Sequence, residues 1–246
     1  MTALAFVSEK VDLIVAFENQ AVRAARGATS KIPVLFAHVS DPVHAGFVKS
    51  LARPGGNLTG VADYVGELQD KRVQILGETV RLRKLLVLTD PTDPATPRLI
   101  ADLRRVVPEL KVQLVERSAT TEADVVNVFA GLKAADVDGM IIISPKLTTN
   151  FPDLILRLSM ERKIPLAHHR KALAEKGALL SYGPNFVAVG QDLAGYVDRI
   201  LKGAKPADLP VQLAARLELV INRKTAAAFG LTIPQSLLLR ADQVIE

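Results

Sequence analysis

Short apolar runs rich in β-branched residues recur along the chain, several of them continuous, and segments with a 3.6-residue apolar period stand between them. The runs cover 12–16 (DLIVA), 32–37 (IPVLFA), 84–89 (KLLVLT), 111–116 (KVQLVE), 139–143 (GMIII), 164–167 (IPLA) and 178–182 (ALLSY). Runs without polar alternation suit parallel strands covered on both faces. Leu99, Leu103, Val106 and Val107 make one helical stripe. Val125, Phe129 and Leu132 make another behind a Thr121…Asp124 capping box. Alternation of this kind confines the chain to the α/β class with mostly parallel sheets.

The rhythm breaks at 50–61 (SLARPGGNLTGV), at 181–185 (SYGPN) and along 202–222. Five strands between the first two breaks complete one small sheet. The residues before Ser50 and a returning helix at 186–201 build another. The simplest layout is two Rossmann-like lobes joined by three hinge crossings, residues 1–62 with 183–212 and residues 63–182 with 213–246. Only two strands precede the first break, and residues 2–7 read as the end of a helix. The first lobe is therefore expected to lack its amino-terminal strands, which a preceding segment or another chain would complete. ARPGGN reads as a turn into the hinge, with Gly55 and Gly56 supplying backbone freedom. In the helix that follows, Val73, Leu76 and Val80 read as core, and Lys71 and Arg72 as its solvated face.

Several function classes drop out on composition. The 246 residues include no cysteine, which excludes a disulfide scaffold, thiolate zinc sites and cysteine catalysis. The net charge of +5 is spread along the chain with no basic stretch interleaved with aromatics, so no nucleic-acid partner is expected. No apolar run reaches the ~18 residues of a membrane-crossing helix. The start, MTALAFVSEKVDLIV, lacks the charged-then-apolar order of a signal peptide. No GxGxxG, GxxxxGK[ST] or GxSxG is present, so no cofactor and no catalytic nucleophile are expected. His168 and His169 are neighbours whose side chains face opposite ways in extended chain, so no metal site is expected.

Open α/β sheets bind ligands outside the carboxyl ends of their strands. That rule selects Phe17, Glu18, Asn19 and Gln20 after the first run, and His38, Ser40 and Asp41 after the second. Further along it selects Thr89 and Asp90, then Ser144 and Pro145, then His168 and His169, with Tyr182 at a crossing. An amino-acid ligand has two poles. Its carboxylate suits the N–H groups of the helix start at Asn19–Gln20 or the Ser144 hydroxyl, and its ammonium suits Asp41. Phe17 or Tyr182 would wall an aromatic side chain. Each has a plainer reading as well. Asp41-Pro42 can cap a turn, Ser144-Pro145 can stop a strand, Tyr182 can pack in the hinge, and Glu18 can open its helix. His38 and His44 read as loop or helix-start residues.

Four segments carry a family likeness: IPVLFAHVSDPVHAGFVKSLARPGGNLTGV, ELQDKRVQIL, LLSYGPN, and the tail from YVDRILKGAKPADLP through ELVINRKTA to GLTIP. In that order and spacing they resemble ABC-transporter substrate-binding proteins of the tryptophan/tyrosine type. The resemblance implies a type I periplasmic-binding-protein-like fold that holds a small molecule by hinge closure and delivers it to a cognate ABC permease. It implies a periplasmic or membrane-anchored extracellular location, and family members begin with a leader, a strand, a helix and a second strand that this chain lacks. A first lobe shortened in this way would expose a sheet edge and allow a homodimer. Two other classes stay open: a ligand-sensing regulatory domain of the same fold, and an α/β enzyme using Asp41 and a histidine.

Overall fold

The computed structural model describes residues 2–63, 65–133 and 136–246, and the side chains of Ser40 and of residues 65–67 lie outside that description. The chain divides into two compact units, Met1–Val65 with Pro184–Leu217, and Gly66–Gly183 with Glu218–Glu246. It begins with α1 (Ala3–Ser8), β1 (Ile14–Phe17), α2 (Glu18–Ala28), β2 (Val34–Ser40) and β3 (Leu58–Asp63). Then come α3 (Val65–Thr79), β4 (Lys84–Thr89), α4 (Thr96–Val106), β5 (Gln113–Ser118) and α5 (Glu122–Ala130). β6 (Gly139–Ile142), α6 (Pro145–Asn150), α7 (Pro152–Glu161), β7 (Leu166–His168), α8 (Lys171–Lys176) and β8 (Leu180–Pro184) follow. The last part holds α9 (Phe186–Leu201), β9 (Gln212–Leu213), β10 (Leu217–Asn222), α10 (Arg223–Ala228), α11 (Gln235–Leu238) and β11 (Gln243–Ile245).

The first unit is built on a parallel sheet of order β1-β2-β3-β9. Ile14, Ala16, Val34, Phe36 and Leu58 face Val22 and Ala25 of α2. Leu35, Ala37 and Val61 point the other way, onto Val189, Leu193 and Tyr196 of α9. The expectation of a two-strand lobe is thereby corrected. Its third strand comes directly after the Pro-Gly-Gly-Asn turn, in a stretch read as hinge. LTGVAD hid because it holds a threonine and a glycine where a buried strand was expected to hold an apolar run. Thr59 is fully buried all the same, its hydroxyl donating to the Leu209 carbonyl at 2.7 Å.

The second unit carries a sheet of order β11-β10-β8-β7-β6-β4-β5. Its five central and right-hand strands, β4 to β8, are the runs the sequence displays, with ends displaced by a residue or two. Leu86, Leu88, Met140, Ile142 and Leu166 pack against Val125 and Phe129 of α5, Ile155 and Leu156 of α7, and Leu173 of α8. β4 pairs in parallel with β5 on one side and β6 on the other, so the order of strands reverses there. The carboxyl ends at such a reversal are where this class of sheet leaves a crevice.

In α3, Val73, Leu76 and Val80 are buried as the stripe requires, but Arg72 is buried as well, at 7% exposure, which corrects its assignment to the solvated face. Its Nε donates to the Tyr182 carbonyl at 2.7 Å and its Nη1 to Gln69 Oε1 at 2.9 Å. Local periodicity cannot foresee a carbonyl brought in from a strand that follows 110 residues later.

In α5 the capping box forms as the sequence indicates. Thr121 Oγ1 accepts the Asp124 N–H at 3.2 Å, and Asp124 Oδ2 accepts the N–H groups of Thr120 and Thr121. The Thr120 N–H, followed by the two threonine side chains, holds the Asp124 carboxyl down from 3.8 to about 2. A carboxylate depressed on folding stabilises the fold fully above its ordinary value and loses that contribution as pH falls through the folded one. Wild type is therefore expected to lose its advantage over Asp124→Asn between 3.8 and about 2, which melting curves across that range would measure.

Candidate functional site

The rim of the first unit is made by the ends of β1, β2 and β3. β1 runs straight into α2, and Glu18 makes the turn in a left-handed conformation, φ 68°. Phe17 is about half exposed, at 51%, Asn19 is half-buried and Gln20 is exposed. Glu18 stands in the first turn of α2, where the helix dipole favours a carboxylate.

On β2 the register slips between Ala37 and Val39, and His38 takes up the extra residue with φ 55°. The bulge brings its Nδ1 to the carboxylate of Asp63, the last residue of β3. The ring meets Phe186 edge-on with centroids 5.2 Å apart. His38 is thus a strand residue set against the Asp63 carboxylate, which corrects its reading as a loop or helix-start residue. His44 stands exposed in the turn after β2. Ser40 ends β2, its side chain lying outside the described residues.

Asp41 follows in a left-handed conformation, φ 48°. Its Oδ1 accepts the His44 N–H at 3.0 Å, so it does cap the turn that Pro42 opens. Among the described residues six non-glycines hold positive φ. Lys10, Lys111 and Lys163 stand in turns just ahead of strands, and the other three, Glu18, His38 and Asp41, stand together on this rim. Each such residue costs roughly 1 kcal/mol or more, and strain of that kind gathers where a site over-determines the backbone.

The rim of the second unit is already knitted together at the strand reversal. Ser144, fully buried, accepts the Asp90 N–H on its hydroxyl at 2.6 Å and also meets the Thr96 hydroxyl. The Asp90 side chain accepts from the N–H and hydroxyl of Thr92. Asp93 Oδ2 accepts the Lys146 N–H at 2.9 Å, and the Lys146 ammonium donates to the carbonyl and hydroxyl of Thr92. The Ser144 hydroxyl is committed to this network. Pro145, half-buried, opens α6.

β7 ends at His168, and the chain bends at His169. The two rings stack with centroids 4.3 Å apart and an interplanar angle of 25°, rather than facing opposite ways. Side chains alternate only while a strand continues, and β7 stops at His168. His168 is buried at 2% exposure, and its Nδ1 accepts the Arg170 N–H at 3.0 Å. Tyr182 is half-buried in β8, its carbonyl taken by Arg72.

The structure thus brings Phe17, Asn19, Gln20 and Asp41 to one group of strand ends. It brings Ser144 and Pro145 to the β4–β6 reversal, and His168 and Tyr182 to β7 and β8. The sequence reading missed Asp63, Phe186, Asp93, Lys146 and Arg72. Asp63 had no signal because its strand went unseen, whereas the TDPTDP repeat of turn residues after KLLVLT was a visible one. Among the described residues no group of three or more His, Cys, Asp or Glu is placed to hold a metal ion.

A family model described as ABC transporter substrate binding protein matches residues 1–245. The chain belongs to that family. Among its relatives is a tyrosine-binding protein of Clostridioides difficile (strain R20291), 28% identical over 227 residues. That match covers 92% of this chain and 65% of the relative, so the chain spans just under two thirds of the length of this curated relative. Among solved structures, an ABC domain in complex with L-Trp from Streptococcus pneumonia superposes with a TM-score of 0.85 at 26% identity. It covers 99% of this chain and 82% of that one. A conserved domain protein from Vibrio cholerae gives a TM-score of 0.84 at 29% identity, covering 98% and 81%. The fold of this family member is accordingly α/β, of the periplasmic-binding-protein kind with mostly parallel sheets. Among the described residues no helix is long and apolar enough to cross a membrane.

Proposed function

We propose that this chain is the solute-binding component of an ABC importer and that it takes an aromatic amino acid, L-tyrosine or L-tryptophan first among them. The observation that carries the reading is the family match along 1–245, joined to relatives whose names specify tyrosine and L-Trp. On this reading the protein works outside the cytoplasmic membrane, hinge bending closes it on its ligand, and a cognate permease receives it. No chemistry is asked of it.

The strand-end residues then divide by pole. Asp41 is the counter-charge for the ligand ammonium. The start of α2 at Asn19–Gln20, with Ser40 on the neighbouring strand, receives the carboxylate, because the Ser144 hydroxyl is already engaged. Phe17 and Tyr182 supply apolar wall, with Pro145 and His168 beside the second group of strand ends.

A ligand that binds only the folded state adds stability of about 2.7 kcal/mol at a hundredfold excess over its dissociation constant. Thermal melting against the twenty amino acids is therefore expected to show a clear rise with L-tyrosine or L-tryptophan and none with charged amino acids. A protein that melts cooperatively at one temperature throughout the panel would sink the reading.

A further inference from the structure

Three adjacent strands of the second unit carry buried polar side chains side by side: His168 on β7 at 2% exposure, Ser181 on β8 at 1%, and Asn222 on β10 at 4%. His168 and Ser181 are register partners in parallel strands, so their side chains share a face. The Asn222 N–H donates to the Leu179 carbonyl at 2.9 Å, which sets the end of β10 beside the start of β8. β7 and β10 both stop at this level, while β8 runs on to Pro184. Ser181 therefore stands at the carboxyl end of the sheet, where its neighbours have given out.

Two of the three have evident work within the fold. Asn222 Nδ2 donates to the Ala174 carbonyl at 2.8 Å, and its Oδ1 accepts the Thr225 N–H at 2.9 Å. His168 Nδ1 accepts the Arg170 N–H, which places the proton of a neutral ring on Nε2. The Ser181 hydroxyl, by contrast, is buried with no hydrogen-bond partner among the described residues. A desolvated, unpaired hydroxyl is costly, and buried polar groups are otherwise almost always satisfied. Strand ends are where sheets of this class bind ligands.

We propose that Ser181 is a specificity-determining residue: its hydroxyl, beside the His168 ring, hydrogen-bonds the polar group on the ligand's aromatic side chain. The inference rests on the aromatic amino-acid reading above. A serine hydroxyl can accept from an indole N–H, and can either accept from or donate to a phenol. Phenylalanine offers neither and would leave the hydroxyl desolvated. Sites built to hydrogen-bond a ligand group reject the analogue that lacks it for this reason.

The test is a set of dissociation constants, by calorimetry, for L-tyrosine, L-tryptophan and L-phenylalanine on wild type, Ser181→Ala and Ser181→Cys. Wild type should prefer L-tyrosine or L-tryptophan to L-phenylalanine. Ser181→Ala should weaken the preferred ligand roughly tenfold and leave L-phenylalanine unchanged. Ser181→Cys, a weaker hydrogen-bonding group of similar shape, should fall between the two. The melting temperature of unliganded Ser181→Ala should not drop, since no bond within the fold is lost. Equal weakening of all three ligands, or of none, overturns the role of Ser181 and leaves the aromatic amino-acid reading standing. Wild type that binds none of the three overturns both.

Discussion

Gly60→Ala is expected to prevent the first unit from forming its sheet. Gly60 lies in β3 opposite Phe36 in the middle of β2, and its φ is 154°. A Cβ built there would stand 2.0 Å from the Phe36 carbonyl oxygen and 2.7 Å from the Phe36 nitrogen. A flexible side chain could swing away from such a contact, but here the obstacle is the Phe36 backbone itself. Retreat would pull β3 from its register with residues 34–37, and fully buried Phe36 packs in the core on one face of that sheet. We expect a loss of roughly 4 kcal/mol or more, above what ordinary overpacking costs. Gly56→Ala is the control. Nothing stands within 4 Å of its added Cβ, and the change should be neutral or mildly stabilising. Denaturant titration of both variants checks the prediction, with hydrogen exchange to locate the loss. A Gly60→Ala protein as stable as wild type would mean that β2 and β3 are not paired in this register.

The same glycine explains why half of the fold was plain in the sequence and the rest was not. Strands β4, β6 and β7 announce themselves because they lie inside the sheet, buried almost throughout, and can be largely apolar. β3 is equally central to its own sheet, yet it accommodates Gly60 against a neighbouring backbone and Thr59 against the Leu209 carbonyl. Both needs are met by residues that contact it only in three dimensions. Arg72 follows the same logic, since its burial depends on the Tyr182 carbonyl. The candidate site divides in the same way. The strand-end rule finds Phe17, Asp41, Ser144 and His168 from one dimension. It cannot tell that the Ser144 hydroxyl is taken by residues about fifty positions earlier. Nor can it find Asp63 and Phe186 around His38, because their positions depend on a bulge and on a helix start far along the chain.

Asp41→Asn is expected to abolish tight ligand binding while leaving the fold nearly untouched. Asp41 has two tasks under the proposed function, and this substitution separates them. The first task is local: its Oδ1 accepts the His44 N–H from a left-handed backbone. An asparagine oxygen can accept the same bond, and asparagine tolerates that conformation at least as well as aspartate. The turn should survive, and the melting temperature of the unliganded protein should barely move. The second task is electrostatic. Without the carboxylate, the ligand ammonium is desolvated with no opposite charge, a loss of roughly 3 kcal/mol, or more than a hundredfold in dissociation constant. Asp41→Ala should show the same loss of binding together with a lower melting temperature, since the cap bond goes and alanine resists positive φ. Calorimetric titration with L-tyrosine and with its des-amino analogue completes the argument. If Asp41 holds the ammonium, the analogue should bind wild type and Asp41→Asn about equally weakly. Unchanged L-tyrosine affinity in Asp41→Asn would assign Asp41 to the turn alone and require another carboxylate for the ammonium.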